Sequence, residues 1–490
     1  MKFTERVRDM IRSWLRIQPA AGQNITIREA SNWETNCMRN RIWYRGDASE
    51  IEQLFKAIAN TGNAGEARFW AAAPVGKEVR KAHSGLPAIM VDTLAYLVKA
   101  DLNEIDFGKD GSNSLDAWQN IAKDCGFSDV VSQAVTDVLS LGDGAFKISI
   151  DPEISDYPML EFWPADKVEY LVRHGRVYGV EFKSLYVVGN AEYELRELYQ
   201  QGSVQYSLYD GDKKVPLSRV PELAQYKPVT YDGNFSLAIP FMVFHNQKYP
   251  GRGRSIFDTK TDAFDAHDEV ISQWIDAVRA GRVQKYIPEA LIPRDENTGA
   301  LRMPDAFGSN FSKIGTSNKE NADDKIDTIQ PEIRYEAFLA SYTTTLNMCL
   351  QGIMSPATLG IDVGKMSSAE AQREKKDVTG YTRNAITDAL EKVLPKVARS
   401  MLMAYDTMHK RPTGYYEPTV SFGEYGAPDF DSRVQTVGTA ANCGVMSVQA
   451  QVDELWGASK DDEWKKREVS RILNERGMVD LPEPDVGNGV

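Results

Sequence analysis

Two long segments of helical apolar periodicity are separated by Gln351–Glu370, QGIMSPATLGIDVGKMSSAE, and this interruption constrains the fold more than any other stretch. Pro356 biases Ser355 away from the α region. Gly352, Gly360 and Gly364 tolerate positive φ, so the chain turns here in a structured loop instead of continuing one rod. Loops of this length between long helices are more often functional than decorative.

The rod before the loop pairs with an earlier one. Over Ile256–Ala280, the residues Phe257, Phe264, Ile271, Trp274, Ile275 and Val278 share a helical face, Ser255 and Asp258 form a capping-box-like start, and Gly281 supplies a stop. About 25 residues at about 1.5 Å each give a rod of roughly 37 Å. The second rod, Ile333–Gly352, starts after Pro331-Glu332 and aligns Tyr335, Phe338, Leu339, Tyr342, Leu346 and Cys349. Residues 281–332 between the rods hold short extended pieces around a Gly/Asn/Ser-rich middle, too small for a core of their own: an excursion that returns. Its apolar run, Tyr286, Ile287, Pro288, Leu291 and Ile292, predicts burial against a partner.

Beyond the loop, Ser367 and Glu370 predict a further capping box. A long helix to about residue 410 follows, with Val378, Tyr381, Ile386, Leu390, Val393, Val397, Met401 and Tyr405 inward and a kink at Pro395. The mixed-sign cluster Arg373–Asp377 reads as a solvated or intersubunit face.

Residues 1–140 read as mostly helical, including Glu50–Ala59 and Leu86–Leu97. Residues 3–14 place Phe3, Val7, Met10, Ile11 and Trp14 at helical spacing among Arg6, Arg8, Arg12 and Arg16; Glu5 and Asp9 favour a helix docked on this domain or a neighbouring subunit over a targeting or membrane-surface segment. From Gly142 the period changes to two: FKISID, RVYGVEFKS, AEYELRELYQ and SVQYSLYD alternate apolar and polar residues between turn signals, predicting one antiparallel meander. Its aromatics Phe162, Trp163, Tyr178, Phe182, Tyr193, Tyr199 and Tyr206 read as a buried sheet face before a base-stacking platform. Near the C-terminus, an extended EPTVSFGEYG precedes helices near Ser432–Asn442, Ser447–Trp456 and Ser459–Arg476, and the tail 477–490 reads as flexible. The last two helices could imitate a DNA-binding helix-turn-helix, but Asp453, Glu454, Asp461, Asp462 and Glu463 crowd their turn and would repel a phosphate backbone.

At 490 residues the chain should divide into several domains. Its 57 basic and 70 acidic residues leave a net charge of −13, the wrong sign for wrapping nucleic acid with its whole surface. Four widely spaced cysteines give no zinc spacing and read as intracellular thiols. No apolar run of membrane-spanning length occurs. Gly360-Ile-Asp-Val-Gly364-Lys365-Met366 lacks the spacing of a P-loop and carries Met where the metal-binding Ser or Thr belongs. Gly251-Arg-Gly-Arg254 lacks the third glycine of a dinucleotide fingerprint, and the five histidines show no i, i+4 pair. The enzyme reading is left with no carrier residues, and no cofactor is implied.

What remains is two antiparallel rods, an excursion at one end, a loop at the other and a long kinked helix behind. The stretches GRSIFDTKTDAFDAHDEVISQWIDAVRAGRVQKYIPEALIP, DKIDTIQPEIRYEAFLASYTTTLNMCLQGIMSPATLGIDVGKMSSAEAQREKKDVTGYTRN and MSVQAQVDELWGASKDDEWKKREVSRIL, in this order, resemble bacteriophage portal proteins, the head-to-tail connectors of the long-tailed-phage branch. The resemblance implies an α+β, multi-domain architecture: a wing (1–250), stem helices (256–280 and 333–352), a small α/β clip (281–332), a tunnel loop (353–366), a kinked spine helix (367–410), and a wing end and helical crown (411–476).

It also implies a ring of about twelve copies at one capsid vertex of the virion, assembled in the host cytoplasm. Double-stranded DNA would pass during packaging and ejection without sequence-specific contact. Terminase, a head-completion adaptor, and the major capsid and scaffolding proteins are the implied partners, with no membrane. The tunnel-loop residues are then Ser355, Pro356, Gly360, Gly364, Lys365 and Met366. The clip contacts are Tyr286, Ile287, Leu291 and Ile292, and the stem packs through Phe264, Ile271, Trp274, Phe338, Tyr342 and Leu346. Twelve copies at −13 each give roughly −156, a field that discourages DNA from adhering to its conduit. Lys365, the one cation between Gln351 and Glu370, is a candidate for weak phosphate contact or for pairing with an adjacent subunit's acid.

Overall fold

A computed structural model describes residues 32–59, 68–72, 80–108, 112–233, 235–281, 284–288, 298–299, 310–314, 327–329, 332–361, 369–423, 430–456 and 460–475. The chain is an α+β protein that divides into two compact units, 1–422 and 423–490.

Among the described residues the first unit begins with the helices α1 (Trp33–Arg45), α2 (Ala48–Ala59), α3 (Leu86–Ala100), α4 (Ser112–Asp124) and α5 (Phe127–Leu141). Asn32 caps α1 by accepting from the Thr35 amide. The strands follow as β1 (Asp143–Ser149), β2 (Met159–Pro164), β3 (Val168–Arg173), β4 (Arg176–Val188), β5 (Ala191–Gln200), β6 (Ser203–Asp210), β7 (Lys213–Val215), β8 (Val229–Thr230) and β9 (Ala238–Met242).

They do not form one meander. FKISID lies in β1, at the centre of a three-stranded antiparallel sheet ordered β2-β1-β9, while β3-β4-β5-β6-β7 make a separate antiparallel sheet with β8 on β6. The reason is visible in β1 itself. Six of its seven residues are buried, so it is covered on both faces and cannot be the half-solvated strand that alternation implied. The two sheets are joined by a buried ion pair, Lys147 Nζ to Glu197 Oε2 at 2.9 Å, with the ammonium 4.8 Å from the Trp163 ring centre. Phe162, Phe182 and Tyr199 are buried, Trp163, Tyr193 and Tyr206 half-buried, and Tyr178 alone of these aromatics is exposed.

Then come α6 (Thr261–Ala280), β10 (Gln284–Pro288), β11 (Asn310–Ile314), β12 (Asp327–Ile329), α7 (Tyr335–Leu350) and α8 (Ala369–Met408). α8 runs through Pro395 without interruption. Its Ile386, Leu390, Val397 and Met401 are buried, whereas Tyr381, expected inward, is exposed. After α8 the chain is tied back to the helical layer at Asp106, whose amide and carbonyl exchange hydrogen bonds with Thr419. One continuous core joins α1–α5, the β2-β1-β9 sheet, the first half of α6, the last turn of α7, and α8.

The second unit carries α9 (Phe430–Asn442), α10 (Val448–Trp456) and α11 (Asp462–Glu475). α10 and α11 pack as a hairpin through Trp456 and Trp464, edge to face at 5.7 Å.

Candidate functional site

α6 and α7 form an antiparallel pair bracketing 281–332 in sequence. The first rod is shorter than its periodicity suggested: the helix begins at Thr261, about 30 Å of rod for its 20 residues. The expected Ser255–Asp258 contact forms, but it closes the turn 256–260 instead of starting α6, and Asp258 is held from several sides. Its Oδ1 accepts from Asn36 and Asn40 at 3.0 and 2.8 Å, and its Oδ2 from the Ser255 amide at 3.1 Å. Gly281 is not a left-handed stop either, since its φ is −70°. A Cβ there would lie 2.8 Å from the Ile333 side chain, so a larger residue would have to push Ile333 aside where the two chain ends that lead into the excursion meet.

The pair has two zones. At its root Phe264 and Leu346 are buried in the main core. Further out, Ile271 is half-buried and Trp274 lies among Phe338, Tyr342 and Tyr335, with ring centres at 6.0, 6.3 and 6.4 Å. His267 sits between the zones, its Nδ1 2.9 Å from Thr345 Oγ1 and its ring 5.1 Å from Tyr342; burial pushes its pKa below the ordinary imidazole value. Val278, Tyr335, Leu339 and Met348 stay between 41% and 57% exposed, because a rod two helices wide has too little interior to cover them.

The root is fixed by carboxylates that periodicity could not mark. Asp265 accepts the amides of Phe69 and Trp70 at 2.9 and 3.1 Å. Asp268, fully buried, accepts from Trp70 Nε1 and the Ser84 amide and lies 2.7 Å from His83 Nδ1. Their signal was present as two acids beside Phe264 on a face bearing apolar residues.

The Gly251-Arg-Gly-Arg254 stretch is a clamp. Arg252 grips Asp143 with two nitrogens at 2.9 and 3.1 Å, donates to the carbonyls of Ala165 and Val168, and packs its guanidinium on Trp33 and Tyr170. Gly253 then crosses Gly142 so closely that a Cβ on Gly253 would lie 2.0 Å from the Gly142 carbonyl oxygen.

The segment after α7 is anchored for its first half. Ile353, Met354 and Ser355 are buried, and Pro356–Leu359 form a short 3₁₀ turn capped by the Ser355 hydroxyl. The Ser355 amide donates to Thr379 Oγ1 at 2.9 Å, Thr379 meets Thr358 at 2.8 Å, and Thr382 Oγ1 donates to the Ile353 carbonyl at 2.6 Å. Lys260 Nζ donates to the carbonyls of Met348 and Gln351 at 2.9 and 2.8 Å, completing the end of α7; burial lowers its pKa. Burial also pushes the neighbouring Cys349 thiol up to about 12. Gly360 is left-handed at φ 70° and exposed. Ser355 and Pro356 therefore belong to an anchored root, while Gly364, Lys365, Met366 and Ser367 lie outside the described residues. A cavity of about 350 Å³ opens beside this root, lined among others by Arg254, Lys260, Gly352 and Tyr381.

In the excursion, β10 pairs with β11 in parallel and with β12 antiparallel, a three-stranded mixed sheet ordered β11-β10-β12. Tyr286 and Ile287 fall in β10; Leu291 and Ile292 lie outside the described residues.

No family model matches this sequence, and no curated protein matches it. Among solved structures, the chain is similar to one from the virion of a native gene transfer agent particle, 12% identical, with a TM-score of 0.35, covering 79% of this chain and 89% of that one. It is also similar to a chain of the neck of the empty particle computed with C6 symmetry (14% identical, TM-score 0.37, 76% and 89% covered). A chain of the neck of the native particle computed with C12 symmetry stands at 13% identity, TM-score 0.37, and 78% and 89% coverage. At TM-scores this low the likenesses carry no functional argument.

Proposed function

We propose that this chain is a portal-type connector: a non-catalytic ring of about a dozen copies at one capsid vertex of a virion, through which double-stranded DNA is packaged and ejected. The observation that carries the reading is the α6–α7 rod, rooted in a large core yet leaving Val278, Tyr335, Leu339 and Met348 uncovered along its length. Side-by-side packing of such rods around an axis covers those residues and leaves a central passage. The ordered portal-like stretches of the sequence support the same reading. The 281–332 sheet, displayed between the two stem helices, is then the docking element for terminase and the head-completion adaptor. Residues 361–366 become the part of the tunnel loop that approaches DNA, with Lys365 as its cation.

Mass photometry and negative-stain imaging of the purified protein test this. The expected result is a ring of about a dozen copies with an axial hole, converted to monomers of unchanged circular dichroism by Val278→Glu with Leu339→Glu. A wild-type protein that stays monomeric at micromolar concentration, or forms only open filaments, overturns it.

A further inference from the structure

The solvent face of the β3–β7 sheet has an unusual corner. On β4 the alternation puts Phe182 into the core and leaves Leu185 and Val187 outward, 74% and 69% exposed. Their cross-strand partners on β5 are Glu194 and Glu192, respectively, so two exposed aliphatics stand directly opposite two carboxylates. Two cations beside this corner are already engaged: Arg196 Nε contacts Glu194 at 2.5 Å with its guanidinium over Tyr209, and Lys183 Nζ pairs with Glu169 at 2.6 Å. Glu192 has no ion-pair partner among the described residues. A face that is apolar at its centre and anionic at its rim fits a cationic, amphipathic occupant.

The chain itself contains one. Residues 1–17 carry five cations, Lys2, Arg6, Arg8, Arg12 and Arg16, against two acids, and set Phe3, Val7, Met10, Ile11 and Trp14 at helical spacing. The described structure begins at Asn32, and the 14 residues 18–31 can span at most about 46 Å. We infer that residues 1–17 of this chain dock on the Leu185–Val187 corner of the sheet, their apolar side on the aliphatics and their arginines on Glu192 and Glu194. This does not depend on the ring reading: the same contacts serve whether the segment belongs to the same copy or to an adjacent one.

Photocrosslinking in the full-length protein tests the inference. p-Benzoylphenylalanine in place of Leu185, an exposed position, should yield adducts that map by mass spectrometry to residues 1–17. The charge reversal Arg8→Glu with Arg12→Glu should lower that yield about tenfold, with circular dichroism unchanged. Adducts that map to another segment, to the same sheet face of a second copy, or nowhere, overturn the inference. So does a yield indifferent to the charge reversal.

Discussion

Trp274 of α6 and Phe338 of α7 stack with ring planes 12° apart and centres 6.0 Å apart, and Tyr335 and Tyr342 close the cluster edge-on. Removing this indole removes most of the interior of the outer part of the α6–α7 pair. Trp274→Ala should lower unfolding free energy by about 2–4 kcal/mol, less than a fully enclosed tryptophan would cost because the site is half-open. Chemical denaturation measures it. Trp274→Phe should recover at least half; an unchanged midpoint for Trp274→Ala would show that the rod is not held by this cluster.

Thr379 is fully buried and satisfies the Ser355 amide. Thr379→Val keeps the shape and orphans that donor, at about 1–3 kcal/mol. Amide hydrogen exchange at Ser355–Leu359 should accelerate by about tenfold or more, whereas Thr379→Ser should stay close to wild type. Equal exchange in the valine variant would contradict an anchored root.

Arg252 satisfies a buried carboxylate and two carbonyls together. Arg252→Ala should destabilise the first unit by about 3–5 kcal/mol, because Asp143 is left charged and enclosed. Arg252→Lys should recover little, since an ammonium cannot reproduce the planar fork. Full recovery by lysine, measured by thermal denaturation, would show that charge alone matters.

His267 gives the root of the α6–α7 pair a pH dependence of definite sign. Its folded-state pKa is lowered by burial, only partly opposed by Asp268, while the unfolded chain titrates near 6.5. The unfolded state therefore binds the proton first. The stabilising contribution is present above about pH 6.5 and is lost as pH falls through that value toward the folded pKa. Melting temperature should fall between about pH 7.5 and about pH 5.5, and His267→Asn should flatten that fall. An identical slope in the variant would assign the effect elsewhere.

Helices α6, α7 and α8 were legible because each presents one apolar stripe to a core, and Trp274, Phe338, Leu390 and Val397 sit where the 3.6 period places them. Tyr381 shares the stripe but not the burial. It faces outward where the helix passes the loop root, and the period alone carries no information on what stands opposite. The meander was over-joined for a similar reason. β1 and β5 both alternate well enough to pair, and only the two-sided burial of β1 assigns it to another sheet. The clamp on Arg252 was invisible because its partner Asp143 is 109 residues away. A glycine-arginine stretch read locally could only be compared with phosphate-binding fingerprints, which it fails.

The Gly142–Gly253 crossing has a consequence for how the molecule can vary. Where two elements meet through side chains, their spacing can drift by exchanging larger and smaller residues. Here main chain touches main chain, and the smallest addition, one methyl on Gly253, would overlap a carbonyl. The spacing between the chain entering β1 and the chain leading toward α6 is thus set by backbone contact, with no room for a side chain at position 253 however freely the surfaces around it are rewritten.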